Sequence, residues 1–229
     1  MKLVLFDIDG TMLSTDGAGR RAVYRALAEV YGTDAPESHE FDGKTDPQIV
    51  RELMTLAGTP PERVDALLPR ALTRYVEELR AELGDRSHAD KVYPGVAALL
   101  DALDARADVT LGLLTGNVRE GAEAKLAAVG IDAARFRVGA FGSDHAERPA
   151  LPAIARERAE AMLGTEIDGA RVVVIGDTPA DMTCGCGIGA RAIGVATGRY
   201  SVAQLEAWGG TVFPDLSDTS AVVAAILSN

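Results

Sequence analysis

Two aspartates one residue apart, Asp7 and Asp9, close the apolar run of "KLVLFDIDGT", with a glycine behind them. Other apolar runs also end in polar residues. "VTLGLLTGN" ends in Thr115, Gly116 and Asn117, and "RVVVIGDTPAD" ends in Asp177, with Asp181 four residues on. Arg148 stands just before the helical pattern of "PALPAIARERAEAML". Side chains repeat every second residue along a strand, so Leu5, Asp7 and Asp9 alternate and both carboxylates can leave the strand tip on one side. These types suit a single reaction. Carboxylates can serve as nucleophile, proton carrier or ligand of a hard cation. A hydroxyl, a guanidinium and backbone N–H groups near a helix start can hold an anion.

The residues meet only if their strands lie side by side. Five short apolar runs, at 2–6, 109–115, 136–141, 171–176 and 191–197, alternate with longer helical patterns. That alternation predicts an α/β fold, a Rossmann-like parallel sheet covered by helices. Ligands bind such sheets at the carboxyl ends of the strands, where the polar residues fall. "VVVI" at 172–175 is apolar at every position, as expected of a mid-sheet strand buried on both faces.

Between the first strand and "YPGVAALLDAL" lie about eighty residues with no strand pattern, too many for a loop, so they should form a helical domain of their own. Residues 18–32 carry Ala22, Ala26, Leu27 and Val30 at helical spacing and stop at Gly32. Residues 46–58 offer Asp46 as N-cap, Pro47 at the first helical position and Gly58 beyond the end. Residues 60–84 continue as helix, and Pro69 is expected to divide that stretch in two. Segments 14–19 and 84–95 would be the two hinge connections.

The chain has 229 residues, 47% hydrophobic and 25% charged, which suits a soluble globular unit with an insertion. A formal charge of −11 argues against nucleic-acid or anionic-membrane partners, which need a basic surface. The apolar stretch at the N-terminus is too short for a secretory segment or a membrane span, so a cytoplasmic location is expected. Cys184 and Cys186 lack the further ligands of a zinc site and read as reduced small residues near a turn. His39, His88 and His145 read as surface histidines.

"DIDGT", the threonine of "LLTGN", the basic residue Arg148 and "GDTPAD", in this order and framing nearly the whole chain, resemble the four motifs of the haloacid dehalogenase superfamily. The helical insertion resembles the cap of its phosphoglycolate phosphatase and β-phosphoglucomutase branch, and "YPGV" the return from that cap. The domains are then 1–15 with 88–229 for the core and 16–87 for the cap. Many relatives carry a lysine before the proline where this chain has Arg148 before Pro149, with Arg156 and Arg158 as fallbacks.

The resemblance implies a Mg²⁺-dependent phosphatase acting on a small phosphorylated metabolite. Asp7 would attack phosphorus and become an aspartyl phosphate, while Asp9 protonates the leaving alkoxide and later activates water. Asp7, Asp177 and the backbone carbonyl of Asp9 would hold the ion. Thr115, Arg148 and the N–H groups of Gly116 and Asn117 would hold phosphoryl oxygens, with Asp181 supporting the metal shell or the basic residue. Its plainer reading is a helix cap. Lys44, in the cap loop "FDGKTD", and Arg20 are candidate substrate contacts, with a solvated loop and a solvated helix face as their ordinary readings.

Other functions are weighed against this one. A sugar phosphomutase runs the same first half-reaction, although Thr11 after the glycine resembles the hydrolase branch more. "GCGIGA" at 185–190 has the outline of a dinucleotide fingerprint, but no strand precedes it directly, so its glycines read as close packing. A non-catalytic small-molecule binder would have little use for a second carboxylate beside a phosphate. Monomer and homodimer both stay open.

Overall fold

The computed structural model describes residues 1–85 and 91–228. In chain order the elements are β1 (Lys2–Phe6), β2 (Leu13–Ser14), α1 (Ala18–Tyr31), α2 (Asp46–Leu56), α3 (Pro61–Gly84), β3 (Lys91–Val92), α4 (Val96–Asp104) and β4 (Val109–Thr115). Then follow α5 (Arg119–Ala128), β5 (Val138–Phe141), α6 (Leu151–Leu163), β6 (Val172–Gly176), α7 (Pro179–Cys184), β7 (Arg191–Val195), α8 (Val202–Glu206), β8 (Thr211–Phe213) and α9 (Thr219–Leu227).

Six strands form one sheet in the order β5-β4-β1-β6-β7-β8, every neighbouring pair parallel. β1 and β6 occupy its middle. Val4 and Phe6 pack with Leu99 and Leu103 of α4, Leu126 of α5 and Ile226 of α9 on one face. Leu3 and Leu5 pack with Leu151, Ala155 and Ala159 of α6 on the other. Burial on both faces is why the strands read as unbroken apolar runs. Helices α1, α2 and α3 have an apolar cluster of their own, built from residues such as Leu27, Leu53, Tyr75 and Leu79, which Val118 of the sheet side also joins.

Several expectations are corrected. Pro69 does not divide a helix: α3 runs through it. Proline removes one N–H and crowds the preceding turn, but Val64 and Leu68 before it and Ala71, Tyr75 and Leu79 after it are buried along one helical stripe that holds both halves. Asp46 is not the N-cap of α2; Thr45 is, its hydroxyl accepting from Gln48 N at 3.3 Å, and Asp46 and Pro47 are the first two helical residues. The third strand starts at Val138, not residue 136, after a 3₁₀ turn over Ala133–Arg135. β8, an edge strand of three residues, carries too little pattern to be read.

The stretch read as strand-free contains β2, which pairs with β3 (Leu13 with Val92, Ser14 with Lys91) where the chain leaves for the helices and where it returns. The 87/88 domain boundary, part of the second connection and His88 lie outside the described residues. In "GCGIGA" a Cβ at Gly185 would press on Ala190, and Gly189 takes a φ of 72° that favours glycine. α7 precedes these glycines. Cys184 is buried and Cys186 exposed, both as free thiols.

Candidate active site

β1 delivers Asp7 and Asp9 at its carboxyl end with Ile8 buried between them. Asp7 N donates to Ile175 O at 2.9 Å and extends the β1–β6 ladder, after which Gly10, at φ 78°, turns the chain. The two acids meet different surroundings. The Asp7 side chain is 8% exposed, while that of Asp9 is 43% exposed and faces the cavity.

Asp177 follows β6. Its Oδ1 accepts from Thr11 Oγ1 at 2.9 Å, and a Cβ at Gly10 or Gly198 would overlap its carboxylate. Asp181 sits in the first turn of α7, where it forms a capping box with Thr178: Thr178 N donates to Asp181 Oδ2 at 3.0 Å and Thr178 Oγ1 at 2.6 Å. Its other oxygen, Oδ1, accepts from Arg148 Nη2. The capping reading and the reading of Asp181 as a partner of the basic residue therefore both describe the contacts it makes.

Arg148, buried in a 3₁₀ turn before α6, also lies 3.2 Å from Asp7 Oδ2. Arg158 instead pairs with Asp144 at 2.6 Å and Arg156 lies 3.8 Å from Glu160, so neither fallback takes this place.

Thr115 ends β4 fully buried, its hydroxyl accepting from Asn117 N at 3.3 Å and Nδ2 at 2.8 Å. Asn117 engages the site through its side chain as well. Its Nδ2 donates to Asp9 Oδ2 at 2.7 Å, and its Oδ1 accepts from Lys125 Nζ at 2.6 Å. Lys125 also donates to Asp9 Oδ2, at 2.6 Å. The sequence reading missed this lysine. Its signal was position: Gly121, Ala122, Lys125 and Leu126 form the buried stripe of α5, and an unpaired lysine would not remain on such a stripe.

The helical layer closes over these groups. Asp46 N donates to Gly116 O at 2.8 Å, Val118 N donates to Asp46 Oδ2 at 2.7 Å and Thr45 Oγ1 donates to Ala146 O at 2.5 Å. A Cβ at Gly116 would overlap the Lys44 carbonyl, so glycine permits the approach. Beneath lies a cavity of about 390 Å³, lined by both strand-tip aspartates and also by Arg20, Lys44, Tyr75 and Arg199. Lys44 Nζ is held by Glu52 at 2.6 Å and lies 3.2 Å from His39 Nε2. The Arg20 guanidinium donates to the carbonyls of Glu37 and His39 and lies 4.1 Å over the Phe41 ring. His39, expected on the surface, is half-buried against Glu52, whereas His145 is exposed.

Charge is crowded here. Burial first, then Asp181 and Asp9, push the Asp7 carboxyl up to about 6 against the pull of Arg148. Burial, then Asp181 and Asp7, push Asp177 well above the ordinary carboxylate range. Burial disfavours the charged form of Arg148, but Asp181 and Asp7 outweigh it and raise its pKa.

Residues 1–185 match the family described as haloacid dehalogenase-like hydrolase. The chain belongs to this family. A curated relative, the phosphoglycolate phosphatase of Synechococcus elongatus, is 27% identical over 201 residues, covering 86% of this chain and 85% of that protein. Among solved structures, a predicted phosphoglycolate phosphatase from Haemophilus somnus superposes with a TM-score of 0.71 at 20% identity, covering 97% of this chain and 98% of the other. A candidate β-phosphoglucomutase from Thermotoga maritima gives 0.63 at 21% identity over 99% and 100%. These structures share the haloacid dehalogenase-like fold, a parallel sheet core with an inserted helical cap.

Phosphatases of this hydrolase family generally use Mg²⁺, and the donors here suit such an ion. Asp7, Asp177 and Asp181 each bring a carboxylate oxygen within 4.8 Å of the others. All are hard oxygen ligands, and among the described residues the guanidinium beside these three buried carboxylates is that of Arg148. Asp181 commits both oxygens to Arg148 and Thr178, whereas Asp7 Oδ1 and Asp177 Oδ2 accept no side-chain hydrogen bond from the described residues. Among the described residues no helix is long and apolar enough to cross a membrane.

Proposed function

We propose that this chain hydrolyses a small phosphomonoester through an aspartyl phosphate on Asp7. The observation that carries the reading is the unequal setting of the two strand-tip acids: Asp7 buried against Arg148, Asp9 half-open to the cavity. Asp7 is suited to attack phosphorus, breaking the bond to the leaving oxygen, while Asp9 gives that oxygen a proton. Water then attacks the phosphoryl group as Asp9 takes its proton back, releasing phosphate and restoring Asp7. Thr115, Arg148 and the N–H groups of Gly116 and Asn117 are the donors for phosphoryl oxygens. Bound Mg²⁺, held by Asp7, Asp177 and the Asp9 carbonyl, would offset the repulsion between a carboxylate and a phosphate dianion.

The cavity volume suits a small metabolite, and the S. elongatus relative makes phosphoglycolate the first ester to try. Lys44 and Arg20 line the wall where the rest of the substrate would lie, and closure of the cap would exclude bulk water.

The test is phosphate release from a panel of esters, phosphoglycolate, sugar phosphates and p-nitrophenyl phosphate, with and without Mg²⁺. Release is expected to need the metal and to vanish in Asp7→Asn. If no ester is hydrolysed and a sugar bisphosphate is instead isomerised, the acceptor is a sugar hydroxyl rather than water and the hydrolase reading is wrong.

A further inference from the structure

Lys125 has no role in the chemistry described so far, and its burial demands one. It is 4% exposed on the apolar stripe of α5, a place a leucine or methionine would fill without the desolvation of an ammonium. Among the described residues its two side-chain hydrogen bonds both go to the site, at 2.6 Å to Asp9 Oδ2 and 2.6 Å to Asn117 Oδ1. Asn117 adds a second donor to the same Asp9 oxygen and is itself anchored on Thr115. Asp9 Oδ2 thus receives two hydrogen bonds, while no hydrogen bond from the described residues reaches Oδ1. The helical layer seals this cluster: a Cβ at Gly19 would come within 3.3 Å of Lys125 Nζ and 3.8 Å of the Tyr75 hydroxyl.

We infer that Lys125 is a positioning residue for proton transfer. By occupying Asp9 Oδ2 together with Asn117, it fixes the carboxyl so that Oδ1 is the oxygen turned toward the leaving group. This inference rests on the phosphatase reading and on Asp9 as the proton carrier. The balance of the step is unchanged: the proton on Asp9 goes to the departing alkoxide oxygen as its bond to phosphorus breaks. What Lys125 adds is the direction in which that proton is offered.

A residue that serves proton delivery matters in proportion to how badly the leaving group needs a proton. The experiment compares kcat/KM, which reports steps through departure of the leaving group, for two esters. One is the best alkyl phosphate of the panel, which leaves as a strongly basic alkoxide. The other is p-nitrophenyl phosphate, whose phenolate leaves unaided. Lys125→Met is expected to lose about 30- to 100-fold on the alkyl ester, a share of what general acid catalysis provides. On the aryl ester it should stay within about threefold of wild type, the same leaving-group bias expected of Asp9→Asn, in milder form. Should Lys125→Met not fold, Lys125→Gln keeps a polar head at the position and carries the same comparison.

Equal losses on both esters would mean that Lys125 binds the phosphoryl group or merely supports the fold; no loss on either would mean it is idle. Both outcomes overturn the inference and leave the phosphatase reading standing. A wild-type chain that hydrolyses neither ester overturns the reading beneath it.

Discussion

Asp177 keeps its place through what its neighbours lack. Gly10 and Gly198 both face its carboxylate, and a single methyl at either would overlap it. Gly10 must also hold a φ of 78°, but Gly198 does not, so Gly198→Ala isolates the steric effect. If Asp177 helps hold Mg²⁺ as proposed, pushing its carboxylate aside should raise the Mg²⁺ concentration for half-maximal activity by about tenfold or more, as disturbing the support of a metal ligand usually does. Gly187→Ala, with open space around it, is the control. A titration of activity against Mg²⁺ that gave the same midpoint for Gly198→Ala and wild type would remove Asp177 from the metal shell. At this scale the acids and the Thr115 loop were legible because each directly follows an apolar run. Gly198 and Lys125 were not: one acts by absence and far along the chain, the other looks like an ordinary charge on a helix until the stripe it shares with Ala122 and Leu126 is seen buried.

Elements buried on two faces announce themselves in sequence, which is why the five longer strands were foreseen and the three-residue β8 was not. Helix boundaries depend on single hydrogen bonds, and at α2 the assignment moved by one residue. That shift matters, since it frees Asp46 from capping its own helix and lets its carboxylate accept from Val118 N across the interface. Burial pushes this carboxyl up to about 6, with Lys125 and the Val118 N–H pulling the other way and Asp9 adding to the rise. An aspartate in the unfolded chain ionises near 4. Between about pH 4 and 6 the folded state therefore holds more protons than the unfolded state, and the contribution of Asp46 to stability falls as pH rises through that window. Above it, the ionised group costs up to about 3 kcal/mol. Asp46→Asn keeps an oxygen for Val118 N but cannot ionise. Its urea midpoint should match wild type near pH 4 and exceed it at pH 7; a midpoint below wild type at pH 7 would show that the charge stabilises the interface.

Across the whole molecule, stability and closure rest on different contacts. Two apolar clusters hold the sheet to its helices and a third holds α1, α2 and α3 together, with Val118 reaching from the sheet side into that third cluster. Seating of the helical layer depends on backbone approach at Gly116 and on the bonds of Thr45 and Asp46, with exposed ion pairs from Arg199 to Glu40 and Asp42 at the rim. Gly116→Ala would set a methyl against the Lys44 carbonyl, holding the layer off without entering any of the three clusters. Misplacing reacting groups by about 1 Å can cost about 100-fold in rate, so kcat/KM should fall by that order. The melting temperature should drop by no more than about 3 °C, the equivalent of about 1 kcal/mol for a chain this long. Glu40→Gln removes one solvent-screened pair of that rim at a residue outside the cavity lining and should leave activity within about twofold. If Glu40→Gln instead matched the loss in Gly116→Ala, closure would be held by the charged rim, and activity would fall with added salt as those pairs were screened.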